Sequence, residues 1–192
     1  MKKLTSIAFL TLFAILLSAC SSIPKEGTPV KDFTFTDQDG KSFGLKDLKG
    51  KVWLADFVFT NCTTVCPPMS SNMSQLQQMV KDEGLEDVHF VSFSVDPETD
   101  KPDVLKKYYK DGFNADFTMW HLLTGYTQQE IEDYALESFN SFVKKPQEGD
   151  QVVHMVSFYL VNKNGELIKE YPGNTDVPFD QILKDIKAAL KQ

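Results

Sequence analysis

Residues 52–59 read Val-Trp-Leu-Ala-Asp-Phe-Val-Phe, an apolar run with a single acid, and three residues further on comes Cys62-Thr63-Thr64-Val65-Cys66-Pro67-Pro68. An apolar run that does not alternate suits a strand buried on both faces, the central strand of a sheet covered by helices. Pro67 has no amide hydrogen and favours a first helical turn, so a helix is expected from about Cys66, with Cys62 on the loop that enters it. A buried strand that ends in a thiol-bearing loop and then opens a helix confines the chain to α/β architectures. Two thiols placed there can face one small ion or exchange a disulfide, and the backbone N–H groups of the helix start favour their thiolate form.

The remaining pattern extends this sheet. Phe33-Thr34-Phe35-Thr36 alternates at strand period, and Asp39-Gly40 before Lys41-Ser42-Phe43 predicts a hairpin. Met69, Met73, Leu76 and Val80 mark one helix face ending near Gly84, which makes those methionines core residues rather than copper ligands. A second apolar strand is expected over 88–95, then the turn Asp96-Pro97-Glu98-Thr99-Asp100, a helix over 102–110, a short strand over 118–122 and a helix over 127–139. Residues 143–150 read as a polar, mobile loop. A strand over 152–161, the turn Asn162-Lys163-Asn164-Gly165, its antiparallel mate over 166–171 and an amphipathic helix over 178–190 complete the order. Right-handed parallel crossovers followed by a terminal hairpin and helix predict a central mixed sheet flanked by helices, with an N-terminal β-hairpin. With a cysteine pair after the first long strand, this looks like a thioredoxin-like fold.

Lys2 and Lys3 followed by an apolar stretch over 7–17 have the layout of a secretory signal covering residues 1–19. Its ending, Leu17-Ser18-Ala19-Cys20, resembles the lipobox of bacterial lipoproteins, in which cleavage leaves Cys20 as a diacylated N-terminus held stably in the membrane. Residues 20–29 carry turn formers and little apolar weight, and read as the lipidated tether of a single domain over 30–192. Cleavage leaves 173 of the 192 residues, and loss of the two lysines leaves 18 basic against 27 acidic side chains, a net charge of −9. That balance disfavours nucleic acid and provides no polybasic lipid patch, so membrane attachment rests on Cys20. Export to the extracytoplasmic side makes a Cys62–Cys66 disulfide feasible, while a reduced pair there needs a metal or a reducing partner.

Two thiolates alone suit monovalent copper, and an added imidazole extends binding to Cu(II). Of the three histidines, His89 lies inside a strand and His121 follows Trp120 near a strand end, where packing explains both. His154 follows the polar loop and begins the penultimate strand, which places it best as a third ligand. A two-cysteine, one-histidine set with an open fourth position also suits zinc. The spacing departs from the Cys-x-x-Cys redox signature by one residue and lacks its Gly-Pro. An inert structural disulfide is a further alternative, against which polar Asn61, Thr63 and Thr64 argue for an exposed loop. A peroxiredoxin-like peroxidase is suggested by Thr63-Thr64-Val65-Cys66-Pro67, but Phe59 stands where that family has proline.

The run from Phe57 to Pro67, Phe-Val-Phe-Thr-Asn-Cys-Thr-Thr-Val-Cys-Pro, then Ser94-Val95-Asp96-Pro97-Glu98-Thr99-Asp100, then His154 ahead of Phe158-Tyr159-Leu160-Val161, resembles the SCO/SenC family of copper-binding cytochrome c oxidase assembly factors. The resemblance covers about residues 28–190. It implies that Cys62, Cys66 and His154 are the metal ligands for Cu(I) and Cu(II), that the fold is thioredoxin-like, and that the domain works outside the cytoplasm. It further implies delivery of copper to the CuA centre of cytochrome c oxidase subunit II, or reduction of that centre's cysteines, with a copper donor protein or thiol reductant as further partner. The family often carries an acid before the histidine and Ser or Thr after it, where this chain has Val153 and Met155. Asp96 falls in a matching motif, and its plain reading is an acid that shapes the turn before Pro97.

Overall fold

The computed structural model describes residues 23–149 and 151–192, so the stretch read as a secretory signal and Cys20 lie outside the described residues. In chain order the elements are β1 (Thr28–Pro29), β2 (Thr34–Thr36), β3 (Ser42–Gly44), a 3-10 turn (Leu45–Leu48), β4 (Val52–Val58), α1 (Cys66–Asp82), β5 (Val88–Ser94), α2 (Pro102–Phe113), β6 (Trp120–Leu123), α3 (Gln128–Phe139), β7 (Val143–Lys144), β8 (Val153–His154), β9 (Ser157–Val161), β10 (Glu166–Pro172) and α4 (Phe179–Ala189). Six strands form one mixed sheet in the order β1-β10-β9-β4-β5-β6. The β4–β5 and β5–β6 pairs are parallel, and β9 joins β4 antiparallel. The strand run 52–58 is therefore central, and every residue in it is buried.

Alternation along β4 sends Trp53, Ala55 and Phe57 to one face and Leu54, Asp56 and Val58 to the other. On the first face an aromatic cluster joins sheet, N-terminal hairpin and α3: Phe33 meets Phe93 and Tyr134, and Phe139 meets Trp53, Phe57 and Tyr159. Each such ring contributes about 1.5–3 kcal/mol by leaving water. On the second face α1 packs against α2 and α4, with Met69, Met73, Leu76 and Val80 fully buried. The methionine stripe is core, as its spacing predicts. Helix α3 begins with a capping box in which Thr127 Oγ1 accepts from Glu130 N and Glu130 Oε2 accepts from Thr127 N.

Three expectations are corrected. The stretch assigned to a free tether is packed from Ile23 onward: Ile23 is buried and β1 pairs antiparallel with β10. Gly27 makes this approach possible, since a Cβ there would meet the Leu167 carbonyl oxygen at 2.1 Å. Second, residues 143–144 are not loop but strand, pairing with Val153 and His154. Third, the strand expected over 152–161 is two strands, because the chain leaves the small β7–β8 sheet at Met155 and joins the main sheet only at Ser157.

Candidate metal centre

The parallel strands β4 and β5 end at the same edge of the sheet, and the cysteine loop rises from it. The α1 start falls at Cys66, followed by Pro67 and Pro68 in the first turn. Cys62 reaches back over that start, where Cys66 N donates to Cys62 Sγ at 3.3 Å. The sulfur thus takes the place of a helix-capping oxygen. His154 arrives from the β7–β8 hairpin, and its Nε2 lies 3.4 Å from Cys66 Sγ. Its Nδ1 donates to the Met155 carbonyl at 2.9 Å, which turns Nε2 toward the sulfurs. Phe59 stands edge-on to the imidazole with ring centroids 5.9 Å apart.

One ligand atom from each of Cys62, Cys66 and His154 lies within 4.8 Å of the other two, and this is the only such group of three or more metal-binding side chains among the described residues. Both cysteines are free thiols. Soft sulfur donors with one imidazole fit copper. His89 and His121 stand elsewhere and bond to each other, with Nδ1 and Nε2 3.1 Å apart and Phe43 stacked on His121.

The loop is exposed at Asn61, Thr63 and Thr64 but its sulfurs are not: Cys62 is 6% and Cys66 1% exposed. The polar residues predict an exposed loop, which it is, but the backbone turns both cysteine side chains inward. The thiols differ in acidity. Burial pushes Cys62 up, but hydrogen bonds from His154, Cys66 and two backbone amides outweigh it and bring it down to about 6. Burial, the hydrogen bond to Cys62 and the nearby negative charge of Cys62 and Asp56 push Cys66 well above its ordinary value. The helix start therefore favours thiolate at one cysteine rather than at both.

Two acidic features of this edge escaped sequence reasoning. Asp56 was visible as the acid within an apolar strand, but its surroundings were not. It faces the helix-covered side, fully buried, with both carboxylate oxygens lacking a hydrogen-bond partner within normal geometry. Burial raises it to about 7, eased only partly by the Ser92 hydroxyl and the nearby His154. Asp100 is the second: its carboxylate accepts from Thr60 N and from the hydroxyls of Thr60 and Ser94, which ties the base of the cysteine loop to the end of β5. The turn at that end is closed by the Asp96 backbone carbonyl, which accepts from Thr99 N and Asp100 N, while the side chain expected to shape it bonds Lys145 instead. Beside His154 an open depression of about 610 Å³, lined in part by Glu170 and Tyr171, leads in from solvent.

A buried strand leading to two sulfurs at a helix start, with an imidazole brought over them by a separate hairpin, defines a thioredoxin-like protein with a metal-binding dithiol. The SCO1/SenC family model matches residues 23–191, and the chain belongs to that family. A SCO1 protein homolog of Bacillus subtilis (strain 168) is 52% identical over 160 residues, which span 83% of this chain and 82% of that protein. Among solved structures, a SCO1/SenC family lipoprotein from Bacillus anthracis str. Ames is 51% identical with a TM-score of 0.82, covering 86% of this chain and 96% of that one. BsSco, described as a member of the Sco family of cytochrome c oxidase assembly proteins with a disulfide switch, is 52% identical at a TM-score of 0.79, over 86% and 95% of the two chains. ScoI of Bradyrhizobium japonicum, solved with copper bound, is 29% identical with a TM-score of 0.68 over 85% of this chain and all of that one.

Proposed function

We propose that this protein is a copper metallochaperone for the CuA centre of cytochrome c oxidase, held by a lipid on Cys20 at the outer face of the membrane. The observation that carries the reading is the convergence of Cys62 Sγ, Cys66 Sγ and a His154 ring nitrogen within 4.8 Å. Two thiolates would hold Cu(I), and the imidazole would complete a site for Cu(II). Copper then passes to subunit II by exchange of thiolate ligands, with no substrate bond broken. Copper held by the B. japonicum relative and the oxidase-assembly role of BsSco support the same reading. The test is an absorption spectrum of the lipid-free domain with added Cu(II): a thiolate-to-copper charge-transfer band is expected in the wild type, and its absence there would refute the assignment.

A second reading, reduction of the CuA-site cysteines, is favoured by the unequal acidity of the two thiols. Cys62 thiolate would attack a target disulfide and release one target thiol. Cys66 would then displace the second, leaving a Cys62–Cys66 disulfide. Two electrons pass to the target, and the disulfide removes the copper site. In an oxidase-assembly assay, a harmless His154→Ala beside a damaging Cys62→Ser would select this reading over metal delivery.

A further inference from the structure

His154 sits in a hairpin too short to hold itself. The β7–β8 ladder has two pairs, Val143 with His154 and Lys144 with Val153. Alternation sends Val143 and His154 inward and leaves Phe142, Val153 and Met155 on the outer side, 54%, 58% and 44% exposed. A two-stranded ribbon of this size, with three of its apolar residues in water and only Val143 and nearby Val152 buried, is not independently stable.

Charged contacts add to that burial and fasten it. Lys144 Nζ donates to Glu132 Oε2 at 2.7 Å and Lys145 N to Glu132 Oε1 at 2.9 Å, which tie β7 to α3. Lys145 Nζ then reaches across to the end of β5 and donates to Asp96 Oδ1 at 2.7 Å and Glu98 Oε2 at 3.1 Å. The Asp96 carboxylate is 3% exposed, so Lys145 offsets a charge that water cannot reach. Asp96 is itself held, its amide donating to Ser94 Oγ at 3.1 Å, and Ser94 Oγ donates to Asp100, the group that accepts from Thr60. Thr60 lies two residues before Cys62. The contacts thus close a ring from the imidazole, through the hairpin and Lys145, to the base of the cysteine loop.

We propose that Lys145 is a positioning residue of the metal centre: its ion pair with Asp96 holds the hairpin so that His154 lies over the two sulfurs and shields them from solvent. Its consequence for copper rests on the metallochaperone reading, whereas the positioning itself is a property of the metal-free protein. An ion pair with one partner out of water differs from a surface pair, because removing the lysine leaves a buried carboxylate uncompensated.

The experiment compares Lys145→Met, Lys145→Arg and the double variant Asp96→Asn/Lys145→Met, which lacks the pair without stranding a charge, each first shown folded by circular dichroism. Cys62 alkylation by iodoacetamide is timed in the metal-free proteins. Cu(II) binding is then followed by the charge-transfer band and by nitrogen hyperfine splitting in electron paramagnetic resonance, and Cu(I) binding by competition with a chelator. The Met and double variants should alkylate about tenfold faster and hold Cu(II) about 10–100-fold more weakly, as for loss of a group that orients a ligand. Their nitrogen splitting should weaken, their Cu(I) competition should stay near wild type, and Arg should restore all of these. Should Lys145→Met not fold, the double variant decides. Unchanged alkylation and nitrogen splitting in the folded variants would overturn the proposal. Faster alkylation in the variants, with no charge-transfer band even in the wild type, would uphold the positioning and refute the copper reading.

Discussion

The molecule has two places where imidazole meets a partner, and they are built in opposite ways. His89 and His121 lie on neighbouring parallel strands away from the cysteine edge, satisfy each other at 3.1 Å and are covered by Phe43. His154 hangs on a two-pair ladder, spends Nδ1 on its neighbour's carbonyl and points Nε2 at sulfur. The regular sheet turns one nitrogen of each ring on the other ring, while the irregular hairpin turns its second nitrogen on sulfur. Ligand capacity follows from what an imidazole is made to face rather than from the residue type.

The largest effect that would break this contrast is at the metal edge. Cys66→Ser should abolish the thiolate-to-copper charge-transfer band, and His154→Ala should weaken Cu(II) binding by more than about 100-fold while sparing Cu(I) far better. His121→Phe should leave both unchanged. Equal loss of Cu(I) and Cu(II) in the His154 variant, measured by chelator competition, would contradict the role given to that imidazole.

The pH dependence of folding sharpens the contrast, because the two regions pull in opposite directions. The Asp56 carboxyl, raised to about 7 from 3.8, keeps its proton when folded and loses it when unfolded, so its contribution to stability falls as pH rises from about 4 to about 7. Asp56→Asn should therefore stabilise the domain by up to about 4 kcal/mol above pH 7 and by little at pH 4. His121 is pushed down to about 4 from 6.5, chiefly by burial with repulsion from His89 adding to it, so the unfolded chain takes up the proton and stability falls as pH drops through that window. His121→Phe should spare about 2–3 kcal/mol of that acid loss, after allowing for the ring's partial exposure. Urea unfolding at a series of pH values reads both, and slopes of the same sign in the two variants would refute this account. The smallest effect belongs to Val153, where the family often has an acid: Val153→Asp, at an exposed position, should change unfolding free energy by no more than about 0.5 kcal/mol.

The long strands and the start of α1 were legible because their signals are local, whereas the order of strands in the sheet was not read from the sequence. An apolar run, Pro67 after Cys66, and the Asn-Lys-Asn-Gly turn each act within a few residues. His154 stood out as a candidate ligand only beside the family resemblance, since its place in the chain shows proximity to a loop and not the direction of Nε2. The β7–β8 hairpin was not legible, because Val152, Val153 and Val156 continue the apolar pattern of β9 while pairing with the distant Val143 and Lys144 draws residues 153–154 out of it. Burial of the two sulfurs was hidden by their polar neighbours, which face water while the thiols turn inward. The stranded carboxyl of Asp56 depends on what packs over it from α1 and α2, and no spacing reports that.

The strap at residues 23–29 has a geometric consequence. Lys25 O accepts from Asn162 Nδ2 and Val30 N donates to Gly165 O, so the strap starts beside the β9–β10 turn. Because β9 runs antiparallel to β4, that turn lies at the end of the sheet opposite the sulfurs. If Cys20 carries acyl chains, as proposed, it lies only three residues from the buried Ile23, a span of at most about 11 Å. The domain would then stand on the bilayer like a short post with its cargo at the top, roughly one strand length, about 20 Å, above its foot. A recipient would have to present its empty centre at that height, facing down toward the lipid.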